Sequence, residues 1–155
     1  MNRKTFRFVF VCLAFFLMSC SDKNLSPEDE IKQYIETGVE AAENRSSSDV
    51  ADMIQDNYRD HKNLDKPQIK KMLRAYFFMH KNIYLFTKNL EIDLHSDKEA
   101  SVSLHVAMAG SVIADVSVLS SLRARVYKFE LELVKQDKWL LQSAKWHPAG
   151  LSDMQ

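Results

Sequence analysis

Two hydrophobic periods divide this chain near Asn82. Before it, apolar residues return every three or four positions, the spacing of a single helix face. Ile31, Tyr34, Ile35, Gly38, Val39 and Ala42 predict a first helix, opened by Ser26-Pro27-Glu28-Asp29. The serine can accept from a free amide, proline suits the first helical position, and the acids meet the positive end of the helix dipole. This helix should stop by about Asn44, in the loop-like Arg45-Ser46-Ser47-Ser48. A short second helix is expected from Asp49, with Val50, Met53 and Ile54 apolar. A third starts at Pro67 under an Asp65 cap and carries the stripe Ile69, Met72, Leu73, Tyr76, Phe77 and His80.

After Asn82 the pattern alternates, as a half-buried strand requires. Tyr84, Phe86, Leu90, Ile92 and Leu94 are assigned to one face of a first strand, which turns at Ser96-Asp97-Lys98. Val102, Leu104, Val106 and Met108 line the next strand, and 111–119 is expected to add a short edge-like one. Tyr127, Phe129, Leu131 and Leu133 mark a long strand, and Trp139 to Trp146 a final one. The prediction is an α+β fold: three N-terminal helices, then an antiparallel sheet of four to five strands.

Composition narrows the function. At 155 residues, 46% hydrophobic and 27% charged, the chain suits one globular domain. The 21 basic and 21 acidic residues balance, and no basic stretch is read beyond the first residues, so nucleic acid is not an expected partner. Three glycines, Gly38, Gly110 and Gly150, cannot build a glycine-rich phosphate cradle.

The N-terminus gives an address. Arg3, Lys4 and Arg7 precede the apolar run Phe8 to Met18, which would rise about 16 Å as a helix, half a bilayer core. That is a secretory signal pattern. The run ends in Leu17-Met18-Ser19-Cys20, which resembles the bacterial lipoprotein box. The resemblance implies removal of residues 1–19, lipidation of Cys20, a tether over 20–25, a domain over 26–149 and a tail over 150–155. Ser21 after the cysteine, rather than Asp, implies a cell-envelope protein on the outer membrane, facing the periplasm. Cleavage would also remove Cys12 and three cations, leaving a net charge of −3. With Cys20 lipidated, no thiol is left for a disulfide, a Cys-type zinc site or a nucleophile.

The element order, the Asp56-Asn57-Tyr58 segment after the second helix and the closing strand pair ending in Trp146 resemble the nuclear-transport-factor-two-like superfamily, also called cystatin-like or polyketide-cyclase-like. The resemblance spans about Pro27 to Ala149. It implies a strongly curved sheet wrapped around the helices into a cone with a partly apolar cavity. Isomerases, cyclases, epoxide hydrolases and dehydratases use such a cavity, as do members without catalysis.

The densest polar group is Asp56-Asn57-Tyr58-Arg59-Asp60-His61. Read as extended, it puts Asp56, Tyr58 and Asp60 on one side, where two carboxylates and a phenol could act as base, donor and partner. The competing assignment makes the same residues a cap and brace for the second helix. The group lacks the histidine spacing of a metal site, and no metal or cofactor is assigned. His80, on the third helix's stripe, could titrate inside a cavity or simply close the helix. Arg123 and Arg125 share the parity of Tyr127 and could bind an anion or pair with Asp56 and Asp60. Trp146, with Trp139 and the other aromatics, could line a pocket for an apolar ligand or fill the core. Phe78 falls off its stripe, and Ile83 and Leu85 make both faces of the first strand apolar, so a homodimer through the sheet face or an envelope partner protein is the expected cover. The leading expectation is a lipid-anchored, non-catalytic binder of a small apolar ligand or a partner protein. The alternative is an acid/base enzyme using Asp56, Tyr58, Asp60 and His80.

Overall fold

The computed structural model describes residues 25–154. The signal pattern, Cys20 and most of the tether lie outside the described residues. Three helices come first: α1 (Pro27–Glu43), α2 (Ser47–Asp52) and α3 (Lys66–Met79). Their starts follow the local chemistry. Ser26 and Ser46 each accept from the backbone N–H three residues on. Asp65 forms a capping box with Gln68, satisfying two free amides at once. Four strands follow, β1 (Tyr84–Ser96), β2 (Glu99–Ala109), β3 (Arg125–Lys135) and β4 (Trp139–Ala149), in one antiparallel sheet of order β1-β2-β3-β4. The fold is α+β.

Helices pack on one sheet face. Ile31 and Ile35 of α1 meet Ala100, Val102, Leu104, Val106, Leu133 and Trp139 in the main cluster. A second cluster joins Ile54, Tyr58 and Ile69 to Ala144 of β4.

The register corrects one face assignment. Lys88 pairs with His105 and Glu91 with Ser103, so β1 advances three residues while β2 advances two. Within that bulge Asn89 adopts φ 52°, a left-handed backbone that asparagine tolerates better than most residues. Residues before the bulge therefore change sides. Phe86, expected beside Ile92 and Leu94, stands opposite Ala107 on the outer face.

That switch explains the fate of 111–119. These residues form no strand; they make turns and a single 3₁₀ turn, Val116–Val118, started by the Asp115 side chain accepting from the Ser117 amide at 2.7 Å. β2 and β3 already pair along their whole length, so the segment joining them has no edge to extend. It instead lays Ile113, Val116 and Leu119 over Phe86, Ala107 and Val126, with Met154 from the C-terminal 3₁₀ turn Leu151–Met154. Apolar outer-face positions at this end are thus covered by the chain itself. Asn89 Nδ2 donates to the Asp153 carbonyl at 2.8 Å and ties that turn to the bulge. Ile83 is buried and Leu85 packs on the main cluster, while Phe78 stays 91% exposed.

Candidate functional site

The helix-facing side of the sheet is covered unevenly. Along β2, exposure rises from Ala100 at 1% through Val102 at 2% and Leu104 at 4% to Val106 at 8%. Met108, next on that face, is only half-buried. β3 repeats the trend, from buried Leu133 to half-buried Leu131, Phe129 and Tyr127. At the less covered end, Phe129 and Trp146 pair across strands and stack, ring centres 6.4 Å apart and planes at 27°. The His61 ring meets Trp146 edge-on at 4.6 Å, and Lys62 Nζ lies 5.4 Å from its ring centre. The result is an aromatic surface with a cation on its rim, a setting for apolar or π-rich groups.

The chain from Met53 to Leu64 frames this surface by pairing with the free edge of β4. Gln55 donates to the Leu141 carbonyl at 3.0 Å, Leu141 to that of Met53 at 2.9 Å, and His61 to that of Ala144 at 3.1 Å. Between these ties the segment is not uniformly extended. Asp56 and Asn57 occupy a turn, and only the following residues straighten. This separates residues expected on one side. Tyr58 is 1% exposed within the second cluster, which also contains Trp146. Asp60 is 8% exposed. The Asp56 side chain, by contrast, is 97% exposed and paired with Lys66 at 2.8 Å, and that hydrogen bond holds its carboxyl below the usual range. Asp56 braces the start of α3 and does not join Tyr58 and Asp60.

Asp60 is the most informative polar group. Its Oδ1 accepts from the Lys62 and Leu64 amides, each at 2.8 Å, and shapes the loop into α3. Among the described residues its Oδ2 is buried without a hydrogen-bond partner, as is Oε1 of Gln55 in the same segment. A buried carboxylate oxygen without a partner is costly and ready to accept a donor. Burial, reinforced by the Asp60 charge, pushes the Tyr58 phenol above its ordinary range. Tyr58 therefore keeps its proton and can donate, but it cannot serve as a base near neutral pH.

The other expected residues are dispersed. His80 is the exposed C-cap of α3, donating its amide to the Tyr76 carbonyl at 3.1 Å with its ring 4.2 Å from that of Tyr76. Its ring stays at the surface, because the helix ends one residue earlier and the backbone turns extended. Met72, expected in the apolar stripe, is 44% exposed. Arg123 is exposed in the turn before β3, with φ 51°. Arg125 opens β3 opposite Met108, at the less covered end, and is exposed. Neither arginine pairs with Asp56 or Asp60 among the described residues: Asp56 is held by Lys66, and Asp60 is buried while both arginines are exposed.

Two concavities lie elsewhere, and the sequence pointed to neither. One, of about 290 Å³, is lined by Glu30, Tyr34, Thr37, Met53 and Lys135 beside Trp139. There Glu30 accepts from Lys135 and from Trp139 Nε1, the latter at 2.9 Å, and the lysine lowers the glutamate pKa. These partners stand more than a hundred residues apart, beyond any local pattern. The other, of about 420 Å³, lies on the outer sheet face among Glu91, Asp93, Ser101, Ser103, Glu130 and Glu132. Two of its hydroxyls already serve its carboxylates: Ser101 donates to Glu132 at 2.8 Å and Ser103 to Glu91 at 3.3 Å. The signal for this face was the Ser101, Ser103 and His105 alternation in β2, but the strands contributing its acids could be aligned only through the register.

No protein-family model matches the chain, and no curated protein matches it in sequence. Solved structures do match. A putative scytalone dehydratase from Novosphingobium aromaticivorans superposes with a TM-score of 0.66 at 14% identity, over 79% of this chain and 84% of that one. A putative dehydratase of the NTF2-like family from Streptomyces avermitilis gives 0.64 at 11%, over 80% and 97%. An uncharacterised protein with a cystatin-like fold from Caulobacter vibrioides gives 0.63 at 12%, over 80% and 90%. At such identities the likeness concerns the fold alone, and the fold of this chain is accordingly nuclear-transport-factor-two-like, or cystatin-like.

Proposed function

We propose that this protein is a lipid-anchored cell-envelope protein whose domain, a cone of curved sheet around the helices, binds a small apolar ligand without catalysis. The observation that carries the reading is the uneven cover of the helix-facing side, which leaves Tyr127, Phe129 and Trp146 half-buried. Rings held by a rigid sheet at that level of exposure offer apolar contact area at little ordering cost. Arg125 and Lys62 at the rim suit a ligand with an anionic or π-rich end. Fold neighbours that include dehydratases and a hexachlorocyclohexane dehydrochlorinase fit a cavity in this fold that takes small molecules.

Native mass spectrometry of the chain beginning at Ser21, produced in the periplasm, tests the reading. The expected result is extra mass that leaves on denaturation and is absent from Trp146→Ala. Sequence mass alone, in both proteins, would remove it. The same spectrum reports whether two copies associate. The anchor is tested separately by palmitate labelling, expected in the full chain and lost in Cys20→Ala.

An enzyme reading has one specific support, the partnerless Oδ2 of Asp60 beside the protonated Tyr58. In that reading Asp60 accepts a proton from the substrate and Tyr58 donates a hydrogen bond to the charge that develops. Asp56 and His80 have no role in it. Turnover of the released ligand by the wild type and not by Asp60→Asn would replace the binding reading.

A further inference from the structure

α3 carries a surface that the proposed pocket does not use. Over Lys66–Met79 the helix contains Lys66, Lys70, Lys71 and Arg74 and no Asp or Glu, a basic stretch that the overall charge balance conceals. Ile69, Leu73 and Phe77, at intervals of four, turn inward. On the opposite side of the helix, Lys71, Arg74 and Phe78 stand at i, i+3 and i+7, all exposed. Phe78 is 91% exposed, and the flanking Met79 and Met72 are 70% and 44% exposed. Among the described ion pairs, Lys66 is the only α3 cation engaged, with Asp56. Exposed cations beside an exposed phenylalanine join electrostatic attraction for anionic lipid to apolar area that can enter an interface. Among the described residues no helix is long and apolar enough to cross a membrane.

Ile69 of α3 packs on the helix-facing side of the sheet, while the other side interleaves Glu91, Asp93, Glu130 and Glu132 with Lys88, Lys128 and Lys145. On α3, by contrast, all the charges have one sign. We propose that the outward face of α3 docks the domain on anionic phospholipid headgroups, with Lys71 and Arg74 supplying the attraction and Phe78 entering the interface. A lipid on Cys20 would keep the domain close to the bilayer, since Ser21 to Ser26 can span at most about 20 Å. The docking itself rests only on α3.

The three hydrophobic clusters draw all their residues from positions 31–154, so the chain beginning at Ser21 keeps its core and can be tested without lipid. Cosedimentation with phosphatidylcholine vesicles, with and without about one-third phosphatidylglycerol, measures the contact. Binding to the anionic vesicles alone is expected, weakening as salt rises. The double variant Lys71→Glu/Arg74→Glu should bind at least about thirtyfold more weakly, at about fivefold per charge. Phe78→Ser should lose about tenfold. Both change exposed positions, and unchanged melting curves would confirm that the fold is kept. Trp146→Ala should bind vesicles normally, which separates this surface from the proposed ligand site. Equal binding to both vesicle types, binding to neither, an undiminished double variant, or retention on single-stranded DNA in place of vesicles would overturn the proposal. The unlipidated chain leaves the anchor question to the palmitate experiment.

Discussion

The two ends of the helix-facing sheet surface are both built from apolar and aromatic residues, and they end differently. At one end Ala100, Leu133 and Trp139 are closed over in the cluster with Ile31 and Ile35 of α1, and even the Trp139 N–H is satisfied, by Glu30. At the other, Met108, Tyr127, Phe129 and Trp146 keep part of their surface in contact with solvent. Apolar area that is fully removed from water stabilises the fold, whereas area left half-open remains available to a ligand. The difference makes α1 the cover of the closed end and leaves accessible apolar surface at the aromatic end.

The strongest way to break this comparison is to truncate one residue of the same strand and face at each end. Leu133→Ala should cost about 2–5 kcal/mol in denaturant unfolding, because its cavity is sealed on all sides. Phe129→Ala should cost visibly less than a buried phenylalanine would, while abolishing any ligand mass; equal costs at both ends would mean that the open end is ordinary core. A middle-sized effect belongs to the loop that frames the open end. Asp60→Ala removes the acceptor of the Lys62 and Leu64 amides and should cost about 1–3 kcal/mol, with faster amide exchange at those two positions. Wild-type exchange rates in the variant would show that the loop does not depend on this carboxylate.

The smallest effect is electrostatic and sits at the closed end. Lys135, with Trp139 in support, lowers the Glu30 pKa below the usual glutamate range. A carboxylate whose folded pKa is depressed contributes stability that is full above its unfolded pKa and is lost as pH falls through the folded value. Glu30→Gln should therefore lower stability at neutral pH by less than about 1 kcal/mol, since the pair is partly exposed. The gap to wild type should narrow below about pH 4 in acid titrations of stability. A gap independent of pH would assign the effect to packing.

Of the candidate site, Tyr58, Asp60 and Trp146 were legible as residues of interest, and the structure brings the tyrosine and tryptophan into one cluster. Asp56 and His80 were grouped with them on the assumption that one backbone conformation runs through each segment. A turn at Asp56-Asn57 and the helix end at Met79 break that assumption. The Glu30–Lys135–Trp139 contact and the packing of His61 and Lys62 on Trp146 gave no local signal at all.

By itself, the sequence determined the three helices, the caps of the first and third, and the four strands that form, because periodicity and capping act over a few neighbouring residues. Only the tertiary structure decided which sheet face Phe86 meets, what becomes of 111–119, and how far each aromatic is covered. A bulge exists only relative to the partner strand, and burial depends on what lies across the sheet. Both are set by residues far away in the chain.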